Sequence, residues 1–244
     1  MTYQAMAALF ALTFAVTMPV LADDDHDHDG GGIHGGDIEL EVDSHDGETH
    51  IHVHGGPVFP SELGLVVGSD TYAVTDAPGF DSEADTFPAD SRVGFDLLAP
   101  LKQWDGTTFV TEPTYKMQLE FDDGITEHSA QTGTGLVNGF DLPLTTGNAF
   151  HRHYTFSLRD GSDDVLALPT GKGVYLLEMS MWSDDASIEA SEPFWIVFNF
   201  GETEPTHDAA VEYVETNIVP EPASLALLGV GALALAGRRR RAGV

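Results

Sequence analysis

Three histidines fall within five residues, at His50, His52 and His54, and ahead of them in the chain stand Glu39, Glu41 and Asp43. Imidazole offers a metal a neutral nitrogen and a carboxylate offers it a charged oxygen, a mixture that suits Zn²⁺, Ni²⁺ or Cu²⁺ better than Ca²⁺. His-x-His on an extended strand aims both rings the same way, because side chains alternate sides with a period of two. The expected ligand of this stretch is a divalent metal, zinc foremost. The plainer alternative is a solvated face that does no more than exclude apolar side chains.

Such a face needs strands to carry it, and residues 37 to 54, DIELEVDSHDGETHIHVH, predict a hairpin. Ile38, Leu40 and Val42 alternate with Asp37, Glu39, Glu41 and Asp43, and Ile51 and Val53 alternate with the three histidines. Asp46-Gly47 between them is a type I′ turn signal. With those two residues as the loop, Asp43 faces His50, Glu41 faces His52 and Glu39 faces His54, while Val42 meets Ile51 and Leu40 meets Val53. A four-residue loop shifts the pairs but keeps the faces. One face then packs inward, and the other sets imidazoles against carboxylates with opposed Cβ atoms about 5 Å apart.

A second pair, His151 and His153, is expected on the polar face of a strand whose other face carries Phe150, Tyr154 and Phe156. It adds two candidate ligands, or else belongs to an ordinary exposed strand. The segment HRHYTF, followed by Gly173-Val174-Tyr175, resembles a short repeat of surface-anchored proteins linked to metal-uptake systems, built on His-x-His, an aromatic residue and Gly-x-Tyr. Here the aromatic lies closer to the histidines, and the insertion before Gly173 is longer. His26, His28 and His34 lie in an Asp/His/Gly arm, 23–36, which cannot bury a core and is expected to be disordered while handing ions to the hairpin face. Cleavage after Ala22 would put His26 fourth in the mature chain, so an amino-terminal copper motif, which needs His third, is not expected. His45, His128 and His207 read as turn, strand and helix-surface residues.

No enzyme is expected. The chain lacks a G-x-S-x-G elbow, an H-E-x-x-H helix and a phosphate-cradling Gly-rich loop. A glycosidase-like carboxylate pair would betray itself only through its separation in space. The alternative function is a carbohydrate- or extracellular-polysaccharide-binding structural module, with Trp104 as a stacking platform; Trp182 and Trp195 lie in apolar runs and read as core.

The rest of the chain is written as strands and turns. Tyr115, Met117, Leu119 and Phe121 alternate with polar residues before Asp122-Asp123-Gly124, while GVYLLEMSMW (173–182) and FWIVFNF (194–200) are apolar on both faces and predict central strands. One helix is predicted, from Thr206 as N-cap through HDAAVEYVE with Asp208 near its positive end. The fold class is all-β, a β-sandwich over 37–217 with one short C-terminal helix. No cysteine is present, which excludes disulfides and thiolate sites. Of 10 basic and 40 acidic residues, setting aside four arginines at 238–241 and Glu221 leaves 6 against 39, a formal charge of −33 that excludes nucleic acid as a partner.

Both ends differ from the middle. Residues 5–21 are apolar and end at Val20-Leu21-Ala22 before Asp23, the pattern of a signal peptide, 1–22, cut after Ala22. Its positive end is the terminal amine alone. At the other end, 218–244, Pro220-Glu221-Pro222 precedes a short apolar run, 223–237, and then Arg238, Arg239, Arg240 and Arg241. As a helix the run is too short to cross a ~30 Å hydrocarbon core unaided, and the arginines would keep to the cytoplasmic side. These three parts resemble the PEP-CTERM sorting tail. The resemblance implies transient membrane insertion, recognition and cutting by a membrane-embedded exosortase, and delivery to the cell envelope, the cell surface or an extracellular matrix.

Overall fold

In a computed structural model, residues 36–45, 47–111 and 114–220 are described. The signal peptide, the Asp/His/Gly arm and the sorting tail from Glu221 onward lie outside them. The strands run β1 (Ile38–His45), β2 (Glu48–Val53), β3 (Val58–Glu62), β4 (Leu65–Val67), β5 (Asp70–Tyr72) and β6 (Val74–Thr75). They continue as β7 (Phe80–Asp81), β8 (Arg92–Leu97), β9 (Lys102–Trp104), β10 (Phe109–Thr111), β11 (Lys116–Asp122) and β12 (Glu127–Gln131). The last are β13 (Val137–Pro143), β14 (His151–Arg152), β15 (Thr155–Arg159), β16 (Gly173–Ser183) and β17 (Phe194–Phe200), followed by helix α1 (Glu204–Asn217).

The fold is an all-β, sandwich-like arrangement with one short C-terminal helix. A central sheet orders β10-β9-β16-β17-β3, with β8 also pairing β16 and β13 pairing β8. Two four-stranded sheets, β14-β7-β1-β2 and β12-β11-β15-β6, accompany it, and β4-β5 form a small hairpin. β16 and β17 are central because both their faces are apolar. One side joins a large core with Phe80, Phe95 and Tyr154, whose rings sit 5.2 to 5.4 Å from the Tyr154 ring. The other side, Val174, Leu176, Trp195 and Val197, is covered by Ala210 and Val214 of α1.

The first hairpin forms in the register expected for a two-residue loop, pairing Asp43 with His50, Glu41 with His52, Val42 with Ile51 and Leu40 with Val53. Gly47 closes the turn at φ 90°, a conformation that suits a residue lacking Cβ. Ile38, Leu40 and Ile51 are fully buried beneath it.

Three local expectations are corrected. The helix begins before Thr206: Thr203 is the N-cap, Pro205 lies in the first turn, where its missing N–H costs nothing, and Glu204 supplies the early negative charge. His207 is not on the helix surface. It is buried, with Nε2 2.9 Å from the Val197 carbonyl and Nδ1 3.3 Å from Glu62, and ties α1 to β17 and β3. Nor do His151 and His153 share one strand with Tyr154 and Phe156. The run breaks at 153–154, so β14 pairs with β7 and β15 pairs with β11 and β6 in a different sheet. Period-two alternation continues through that break and conceals it.

Candidate metal centre

The polar face of the β14-β7-β1-β2 sheet carries the candidate ligands. β1 contributes Asp37, just ahead of its first residue, then Glu39, Glu41 and Asp43. β2 contributes His50 and His52, and His54 follows it with its N–H on the Glu39 carbonyl at 2.9 Å. On the far side, β7 runs parallel to β1 and places Asp81 opposite Glu39, and β14 runs antiparallel to β7 and places His151 opposite Asp81. Strand alternation thus delivers residues from three separate stretches of sequence to one surface.

Among the described residues, two groups bring three ligand atoms within 4.8 Å of one another: Glu39, Glu41 and His54, and Asp37, His151 and His153. They differ in chemistry and in burial. In the first, His54 Nδ1 is 3.0 Å from Glu39 Oε2 and 3.9 Å from Glu41 Oε1, and the His54 side chain is 56% exposed. That is the geometry of a surface ion pair. His50, His52 and Asp43 share the face without joining either group; the His52 and His54 ring centroids are 6.4 Å apart.

The second group is built differently. His151 Nε2 and His153 Nε2 face each other at 3.3 Å, and Asp37 Oδ2 lies 3.4 Å from His153 Nε2. The Asp37 side chain is only 7% exposed; its Oδ1 accepts the Gly79 N–H at 3.1 Å, while Oδ2 is buried without a hydrogen-bond partner. Behind the rings, His153 Nδ1 is 3.1 Å from the Asp76 carbonyl, which can only accept, so this nitrogen donates there and turns Nε2 toward Asp37 and His151. His151 Nδ1 points toward the buried Asp81 carboxylate at 3.9 Å. For His153, an outward Nε2 with an Nδ1 that donates from behind is the arrangement of a metal-ligating histidine.

Sequence reasoning identified His151 and His153 but not Asp37, although its place in the hairpin alternation puts it on the face of Glu39. Nothing in residue spacing marks Asp81, Asp76 or Gly79, because the short β7 carries no pattern of its own. The aromatic platform is also altered by its surroundings: Trp104 is half-buried, with its ring 5.2 Å from those of both Phe109 and Tyr213, and so packs α1 against the sheet.

Residues 219–241 match the family model of the PEP-CTERM protein-sorting motif. The chain is therefore an exported protein associated with the cell envelope or surface, and exosortase is its implied processing partner. No curated protein matches the chain. No helix of the described residues is long and apolar enough to cross a membrane.

Proposed function

We infer that this exported, exosortase-sorted protein binds divalent transition-metal ions at the cell surface or in the extracellular matrix, on the polar face of its β14-β7-β1-β2 sheet. The observation that carries this reading is the gathering on one face of imidazoles and carboxylates from β1, β2, β7 and β14. Mixed nitrogen and oxygen ligands favour Zn²⁺ or its neighbours over Ca²⁺ and Mg²⁺. The excess of acidic residues supports it, because a field of one sign concentrates counter-ions around the protein. The role is one of binding rather than catalysis.

Equilibrium dialysis of the processed protein against Zn²⁺, with Ca²⁺ in excess, tests the reading. Zinc retained until a chelator is added is the expected result; uptake no greater than that of an equally acidic control protein removes the reading. The competing reading, extracellular polysaccharide binding, draws on Trp104, which flanks a shallow groove with Gly106, Thr107 and Tyr213. It requires retention on acidic polysaccharide with chelator present.

A further inference from the structure

We propose that Asp37 Oδ2, His151 Nε2 and His153 Nε2 form a discrete centre for one Zn²⁺-class ion, separate from the histidine-rich hairpin face. This rests on the reading that the protein binds divalent metal, and it names which atoms hold the tight ion.

The donor atoms favour the ion, and the distances fit it. In a regular tetrahedron the ligand–ligand edge is roughly 1.6 times the metal–ligand bond, so bonds of ~2.0–2.1 Å to zinc require edges of ~3.3–3.4 Å. Two of the three edges of the centre match, at 3.3 Å between the imidazole nitrogens and 3.4 Å from His153 to Asp37, and all three ligand atoms lie within 4.8 Å of one another. Calcium takes about six to eight oxygen ligands, so two imidazole nitrogens among three donors count against it. The Glu39–His54 contact of 3.0 Å, by contrast, matches a direct charge-assisted hydrogen bond and leaves little room for an ion between the partners.

Burial argues for the same atoms. A buried carboxylate oxygen with no hydrogen-bond partner is costly, and its neighbour here is Nε2 of a ring whose Nδ1 is already engaged by a carbonyl. A cation between them satisfies both. Asp37 and Asp81, with side chains 7% and 8% exposed, together carry the charge that balances a dication. Two His and one Asp leave a fourth position for water or an incoming ligand.

Gly79 makes the meeting possible. A Cβ there would lie 2.6 Å from His153 Cε1 and 2.7 Å from Asp37 Oδ1. Any larger residue would drive the two ligands apart. The ion would bridge β1 to the segment around β14 across β7, a strand of two residues, and so pin the margin of this sheet in a protein without disulfides.

The test is calorimetric titration of the processed protein with Zn²⁺, together with the visible spectrum of its Co²⁺ form. The wild type should take one tight ion per chain and give the intense bands of four-coordinate cobalt. Asp37→Asn keeps an oxygen for the Gly79 N–H, so it should fold, yet it puts an amide in place of Oδ2. Its tight event should weaken by more than the ~10–100-fold typical of losing an outer partner, and zinc should no longer raise its melting temperature. Asp81→Asn, which acts through His151, should weaken binding within that range and leave the cobalt bands in place. Changing His50, His52 and His54 together to Ala should leave the tight event untouched. If Asp37→Asn binds as the wild type does while the triple variant loses the tight ion, this centre is wrong and metal binding belongs to the hairpin. If the wild type takes up no ion, both the centre and the metal reading fail.

Discussion

Asp37 and His153 meet over Gly79, with Oδ2 3.4 Å from Nε2, although 79 is remote from 37 and 153 in the chain and contributes only its backbone, whose N–H donates to Asp37 Oδ1, and the absence of a side chain. A polar side chain at 79 would have looked more functional in the sequence and would have closed the space. The φ of Gly79 is outside the left-handed region, so its role is room and not backbone freedom.

Gly79→Ala therefore separates space from conformation. The added methyl has to displace either the His153 ring or the Asp37 carboxylate, and overpacking of this kind costs typically ~1–3 kcal/mol. Denaturant unfolding should register that loss in chelator, and zinc titration of the folded variant should lack the tight event. A variant that binds zinc as the wild type does would show that the two side chains do not need to approach.

The hairpin makes a prediction that depends on register. Ile51 is fully buried and Val42 lies opposite it, so Ile51→Asp buries a charge in the apolar face and should destabilise the fold by about 3–5 kcal/mol with or without metal. The triple change of His50, His52 and His54 to Ala touches only the outer face and should shift the melting temperature little. Equal damage from both would show that the faces are assigned the wrong way round.

Tyr154 is buried among Phe80, Phe95 and Phe140, and its hydroxyl has no hydrogen-bond partner. Burial pushes its phenol well above the ordinary tyrosine range. A folded-state pKa raised above the unfolded value means that the stability contribution is complete below about pH 10, where the unfolded phenol titrates, and is lost as pH rises beyond it. Tyr154→Phe should raise stability by about 1 kcal/mol at neutral pH and move the alkaline unfolding midpoint upward. A destabilised Phe variant would mean that the hydroxyl is satisfied.

Sorting can be checked in the cell. Glu221→Ala, or deletion of Arg238 to Arg241, should leave a heavier, membrane-retained form on immunoblots of envelope fractions. Normal processing of both variants would detach the sorting motif from its enzyme.

Trp104→Ala distinguishes packing from ligand binding. Its ring is wedged against Phe109 and Tyr213, so the change should cost about 2 kcal/mol, below the ~3–5 of a fully buried aromatic. Polysaccharide retention in chelator that disappears with this substitution at temperatures where the fold persists would favour the carbohydrate reading.

The parts of this molecule legible in its sequence are those governed by local periodicity. The β1–β2 register followed from Asp46-Gly47 and the alternation on either side, and β16 and β17 were legible because strands buried on both faces lose alternation altogether. The junction at 153–154 was not legible, since a chain can leave one sheet for another without disturbing a two-residue period. Asp37 shared a face with Glu39 on paper, but its partners come from β14, more than a hundred residues away. That meeting depends on two-residue strands whose pairing leaves no trace in composition. His207 looked like a surface residue because its partners, Val197 and Glu62, are also distant in sequence.

The end of α1 bears on how the tail is read. Ile218 and Val219 both donate their N–H groups to the Val214 carbonyl, each at 3.0 Å, and their side chains pack against the cluster beneath the helix. The sorting motif begins at Val219, so its first residue is already part of the folded body. Body and signal overlap at Val219. Four residues from Val219 to the apolar run at Ala223 reach at most about 14 Å when extended. For an enzyme that reads Pro220-Glu221-Pro222, the substrate's nearest folded neighbour is thus the foot of α1, held there by the packing of two side chains.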